Sequence, residues 1–128
     1  ASDWSSDVCS SDLLWCTQYR QCLYVCQHCD TMYQELILMS HLDAMLSMDS
    51  ANMHLASLTA TPVVSVWGAT HPYAGFMGYN QEEEYAVQKD MPCRPCSTYG
   101  NHPCRYGDWR CLTGIDPAEV VCRVLSCG

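Results

Sequence analysis

Residues 47–56 read Ser47-Met48-Asp49-Ser50-Ala51-Asn52-Met53-His54-Leu55-Ala56, and this stretch decides the fold. Its left half closes the apolar run Ala44-Met45-Leu46-Ser47-Met48, too short for a helix and continuous enough for a buried strand. Asp49-Ser50-Ala51-Asn52 supplies turn and N-cap chemistry, and Met53, Leu55, Ala56 and Leu58 continue as a short helix that stops before Thr61-Pro62. A strand that turns directly into a helix sets the helix's unpaired first-turn N–H groups, and the positive end of its dipole, at the strand's carboxyl end. Such an edge favours a diphosphate. Ser50 adds a hydroxyl, Ala51 admits close approach, and His54, one turn further on the same side as Ser50, is a potential donor. A capped helix carrying a packed histidine fits the same residues, so the local pattern leaves both readings open.

Working outward, Pro62 opens the β-branched strand Val63-Val64-Ser65-Val66-Trp67, which Gly68 ends. Upstream, Asp30-Thr31 caps a helix over residues 31–41 with Tyr33, Leu36 and Ile37 on one side. Before it, Cys22-Leu23-Tyr24-Val25-Cys26 suits another buried strand. The order β-α-β-α-β with short connections predicts an α/β fold: a partial Rossmann-like parallel sheet with right-handed crossovers and helices on both faces. Residues 69–114 read as one long Cys-rich loop, with a solvated acidic run at Glu82-Glu83-Glu84. Asp116-Pro117-Ala118-Glu119 starts a C-terminal helix, with Asp at N-cap, Pro at N1 and Glu at N3, and Val120, Val121, Val124 and Leu125 form its apolar side.

A chain of 128 residues suffices for one domain with a real core. Its formal charge of −8 argues against nucleic acid or an anionic lipid surface bound through bulk charge. No apolar run reaches the ~18 residues of a membrane span, and no basic stretch precedes an apolar core at the N-terminus, so a soluble, cytoplasmic protein is expected. No Gly-x-Ser-x-Gly elbow is present, which sets aside a serine hydrolase. The chain starts at Ala1 without a methionine, and Asp3-Trp4-Ser5-Ser6-Asp7-Val8-Cys9-Ser10-Ser11-Asp12-Leu13 is similar to the translation of a short-read sequencing adapter. Residues 1–13 are therefore expected to be a non-native tail, and residues 14–128 a partial domain.

The eleven cysteines are the compositional outlier. Residues 32–67 contain none, although they are the best-patterned part of the chain, so a reducing compartment is favoured over a disulfide scaffold. Cys93-x2-Cys96-x7-Cys104-x6-Cys111 has the residue types of a four-thiolate structural zinc site with looser spacing than a paired ribbon. Free thiols and loop-tying disulfides remain open beside it. Cys22, Cys26 and Cys29, with His28, form a weaker group. His41 suits a helix end, and Tyr73, Phe76 and Tyr79 either stack on a nucleobase or pack the long loop.

Met48-Asp49-Ser50-Ala51-Asn52-Met53-His54-Leu55-Ala56 resembles the Asp-(Thr/Ser)-Gly-x-x-His-Leu-x motif of the ADP-heptose:lipopolysaccharide heptosyltransferases, glycosyltransferase family 9. Thr61-Pro62-Val63-Val64-Ser65-Val66-Trp67-Gly68-Ala69-Thr70-His71-Pro72 is similar to the family's next strand and its Gly-Pro-Thr-x-Pro loop, and Glu35-Leu36 fits the preceding helix. Departures are Ala51 for the usual Gly, which would crowd a turn of positive φ, and Ala69 for the usual Pro. The resemblance implies the C-terminal, donor-binding part of a GT-B enzyme. Asp49, Ser50, Ala51 and His54 would contact the diphosphate and sugar of an ADP-heptose-like donor, and Gly68 and Thr70 would line the same cleft. It further implies inverting transfer of heptose or a related sugar to a lipopolysaccharide-core or other glycan acceptor held by a missing N-terminal domain. The general base, a carboxylate of that domain, has no counterpart here, so no catalytic residue is assigned and the chain alone is expected to be inactive. No cofactor or metal is implied for catalysis, and a place at the inner face of the inner membrane is compatible. The competing expectation is a zinc-binding interaction module built on Cys93, Cys96, Cys104 and Cys111.

Overall fold

The computed structural model describes residues 29–127 except Gly75; the adapter-like tail and the strand expected at residues 22–26 lie outside the described residues. The chain divides into two units, Ala1–Gln34 and Glu35–Gly128. In the first, the N–H of Gln34 donates to Thr31 Oγ1 at 3.3 Å and the N–H of Asp30 to Gln34 Oε1 at 2.8 Å, a reciprocal cap where Asp30-Thr31 predicts one. Helix α1 (Met32–Ser40) starts there and runs on into the second unit.

The second unit contains the expected β-α-β: β1 (Met45–Met48), α2 (Ala51–Leu58) and β2 (Val63–Trp67). β1 and β2 are parallel, in register from Met45 opposite Val63 to Met48 opposite Val66. A third strand, β3 (Ala86–Gln88), lies parallel on the other side of β2, and the order among the described residues is β1-β2-β3. Short 3-10 turns at Pro72–Ala74 and Glu83–Tyr85 lead into it. The one-turn helix α3 (Arg110–Thr113) and the final helix α4 (Pro117–Cys127) follow. Asp116 caps α4 as its sequence predicts, accepting the N–H of Ala118 on Oδ1 at 2.9 Å.

β2 is the centre of the core. Val63 and Trp67 on one face pack with Met39 of α1 and Met53 and Ala56 of α2. The indole N–H of Trp67 donates to Ser65 Oγ at 2.8 Å, so the largest fully buried side chain leaves no polar atom unmet. Val64 is fully buried on the opposite face, the side left for α4, which packs against β2. At the start of β2, Gln81 accepts the N–H of Val63 at 2.8 Å and donates to the carbonyl of Thr61 at 3.2 Å, standing in for a strand neighbour. Thr61 Oγ1 donates to the carbonyl of Met39 at 2.6 Å, tying the end of α1 to the same place.

Five expectations need correction. The inward residue of α1 is Met39, whereas Tyr33 and Ile37 are exposed, because Met39 meets the core cluster. β1 is buried on one side only: Leu46 and Met48 are 52% and 48% exposed, since α2 covers just the Met45 face. Residues 69–114 are not all loop, since β3 forms by pairing with β2. On α4 the half-buried row is Val120, Val124 and Cys127, while Val121 and Leu125 turn outward. The crowding expected at Ala51 does not arise: Ala60, Asn80 and Trp109 are the described non-glycine residues of positive φ, and Ala51 opens α2 after an extended Ser50 (φ −156°). No helix among the described residues is long and apolar enough to cross a membrane.

Truncating the central side chain should cost most. Trp67→Ala is expected to lower unfolding free energy by about 3–5 kcal/mol in urea titration; a loss below about 1 kcal/mol would contradict this account of the core.

Candidate functional site

Met48 and Asp49 end β1, Val66 is its last partner on β2, and Gly68, Ala69 and Thr70 carry the chain on past β2. These two carboxyl ends border an open pocket of about 220 Å³, whose far side is made by Tyr99, Gly100, Trp109 and Leu112. The helix N-terminus beside it is uncapped by side chains: Ser50 makes no cap hydrogen bond, and Ala51 and Asn52 are exposed. The first-turn N–H groups of α2 therefore stand open to an anion or water. Ser50 Oγ instead lies 3.1 Å from Ser47 Oγ, which donates to the carbonyl of Met48 at 3.0 Å. Each hydroxyl has one proton, so Ser50 spends its own on Ser47, and a phosphate would compete for it.

The loop after β2 is held from one side by a residue that the sequence reading passed over. Arg94 donates from Nε to the carbonyl of Gly68 at 2.5 Å and from Nη2 to that of Thr70 at 2.9 Å. It also donates from Nη1 to the carbonyl of Lys89 at 2.6 Å and from Nη2 to Gln88 Oε1 at 3.1 Å, so one guanidinium spans the ends of β2 and β3. The N–H of Cys96 takes the carbonyl of Ala69 at 2.9 Å. Burial pulls the Arg94 guanidinium below its usual value, with Cys111 and Asp90 opposing that shift electrostatically.

Of the residues expected at the site, Asp49, Gly68 and Thr70 share the pocket, whereas Ser50, Ala51 and His54 lie outside its lining, on the cap and first turns of α2. Gly68 has a steric reason to be glycine: a Cβ there would sit 2.6 Å from Leu112 Cγ. The expected aromatic residues do not border the pocket. Phe76 packs at the core's edge and Tyr73 stands out against His71, while Tyr99 and Trp109, which carry no local signal, line it. A larger hollow of about 400 Å³ lies beside Pro62, at the opposite end of β2. Of its polar lining, Gln81 and Ser57 are already engaged with backbone groups and Glu82 adds a negative charge, so for an anion the smaller pocket at the carboxyl edge is the better candidate.

Cys93, Cys96, Cys104 and Cys111 carry free thiols. Cys96 donates to the carbonyl of Cys93 at 3.2 Å, and its thiol is pushed up by burial and then by Cys93 and Cys111. Among the described residues no group of three or more His, Cys, Asp or Glu side chains is gathered as a metal ion requires. Cys104 differs from Cys96: backbone N–H groups, first that of Tyr106, hold its thiol below the usual range against the opposing effect of burial. Cys22, Cys26 and His28 lie outside the described residues.

A family model described as glycosyltransferase family 9 (heptosyltransferase) matches residues 20–106, more than half of the chain. No curated protein and no solved structure gives a significant match.

Two measurements check this geometry. Gly68→Ala is expected to destabilise by about 1–3 kcal/mol through the clash with Leu112, and Leu112→Ala in the same chain should recover part of that loss in a double-mutant cycle. Iodoacetamide at neutral pH should alkylate Cys104 faster than Cys96 in peptide mass mapping, because the lowered thiol holds more thiolate and the raised one less; the reverse order would refute the ring of N–H donors.

Proposed function

Because the chain belongs to glycosyltransferase family 9, we propose that it is the donor-binding part of an enzyme that transfers heptose or a related sugar from an ADP-heptose-like donor to a lipopolysaccharide-core or other glycan acceptor. The observation that carries the proposal is the convergence of Asp49, Gly68 and Thr70 at the carboxyl edge of the parallel sheet, beside the open first turn of α2. Ligands of open α/β sheets sit at this edge. In the proposed reaction an acceptor hydroxyl forms a bond to the anomeric carbon while the bond from that carbon to the diphosphate oxygen breaks, and the nucleoside diphosphate leaves with the electron pair. Negative charge grows on the departing oxygens, and the N–H groups of Ala51 and Asn52 with the helix dipole would oppose its cost. Asp49 would orient the sugar, Ser50 and His54 would donate to phosphate oxygens, and Ala51 would allow the close approach. Gly68 and Thr70 would bound the cleft. The acceptor and the base that takes its proton would come from an N-terminal domain, so this part alone would bind donor without turning it over, and no metal or cofactor enters the chemistry. The protein would work in the cytoplasm or at the inner face of the inner membrane.

Titration calorimetry with ADP tests the reading. Binding is expected, and Ser50→Asp, which sets a carboxylate at the start of α2, should weaken it about tenfold or more. Absence of binding by the longer enzyme, or an unchanged affinity in Ser50→Asp, would overturn the proposal.

A further inference from the structure

The carbonyl oxygens of Gly68, Ala69 and Thr70, three in succession, are all taken by the segment that carries Arg94 and Cys96. Gly68, Ala69 and Thr70 are also the β2 wall of the candidate cleft. A carbonyl oxygen facing the cleft would repel a diphosphate, so a device that draws these oxygens away suits an anion site. The acceptors of Arg94 are neutral, three carbonyls and one side-chain amide. Among the described residues the ion pairs are Arg110–Asp108 and Arg123–Glu119, and neither includes Arg94. In a chain with 6 Lys and Arg against 14 Asp and Glu, one half-buried cation thus stands behind the cleft wall with no carboxylate in ion-pair contact among the described residues, Asp90 acting on it only from longer range.

We propose that Arg94 is a positioning residue for the anionic end of the donor. Its guanidinium fork fixes the Gly68-Ala69-Thr70 wall with the carbonyls turned away, and its charge acts across that wall on the diphosphate. The proposal rests on reading the cleft as the donor site. Shape and charge contribute separately. Lysine preserves the charge but is a point donor, and it cannot serve the Gly68, Thr70 and Lys89 carbonyls from one plane. Glutamine removes the charge and leaves an amide able to meet part of the acceptor set. The charge acts over a few ångströms of partly buried protein, where screening by water is weaker than at an open surface.

The test titrates the whole chain with ADP, pyrophosphate and adenosine and follows amide hydrogen exchange at Cys96, whose N–H is held by the Ala69 carbonyl. Arg94→Gln is expected to weaken ADP and pyrophosphate about tenfold or more while changing adenosine less than about twofold, and Arg94→Lys should fall between wild type and Arg94→Gln. Both variants should exchange faster at the Cys96 amide. Equal losses for ADP and adenosine would reduce Arg94 to a packing role, and wild-type ADP affinity in Arg94→Gln would overturn the proposal. If Arg94→Gln does not fold, Arg94→Lys carries the same comparison, with a few-fold loss for ADP and none for adenosine expected. If the wild-type chain binds none of the three probes, the donor reading fails by itself. Hydrogen exchange then decides the positioning claim, and unchanged protection of the Cys96 amide overturns it.

Discussion

Parallel strands end by splaying into loops whose carbonyl groups no longer have a ladder partner, and each such group must be met elsewhere. In this chain the guanidinium of Arg94 meets them. It reaches the carbonyls of Gly68 and Thr70 beyond β2 and that of Lys89 beyond β3, with the Gln88 side chain included. β3 is only three residues long, so its ladder with β2 offers few bonds of its own. A planar donor group with fixed angles holds both strand ends in one arrangement, which a flexible ammonium would not do. The cleft wall, the course of the loop over residues 91–96 and the packing beneath them all depend on that closure.

What the sequence displayed and what it concealed follow from the range of the interactions concerned. β1, α2, β2 and α4 are written in short runs of apolar and β-branched residues with caps at their ends, signals that neighbouring residues set among themselves. β3 has no such signature. Ala86-Val87-Gln88 becomes a strand because β2 offers it an edge. Arg94 is equally silent, since its principal acceptors lie 26 and 24 residues away. Tyr99 and Trp109 reach the pocket through the course of the chain between β3 and α3, which no periodicity records. At the candidate site Asp49 was legible as a residue of a strand-to-turn junction, whereas Gly68 and Thr70 were reached through the family resemblance; all three border the pocket. Spacing in sequence suggests ligand types but does not fix the convergence of their sulfur atoms, and among the described residues no metal-binding group is gathered.

The apolar surface is unevenly covered. A parallel sheet is ordinarily sheathed on both faces. Here α2 covers the Met45 side of β1, whereas Leu46 and Met48 on its other side stay half exposed, and Leu125 of α4 is 77% exposed. These residues have the character of interior positions, and their exposure weighs against solubility more than the charge of −8 suggests.

Leu112 against Gly68 joins two regions that differ in chemistry. Leu112 adjoins the buried Cys111 on α3, and α3 opens at Trp109, whose N–H is among those facing the Cys104 sulfur. Besides the Arg94 and Cys96 hydrogen bonds, the thiol-bearing segment and the sheet's rim therefore share a tight side-chain contact, since a methyl group at Gly68 would collide with Leu112. Any coupling through that contact would run both ways: a ligand that displaced Gly68 would press on α3, and a change that displaced α3 would be felt at the rim.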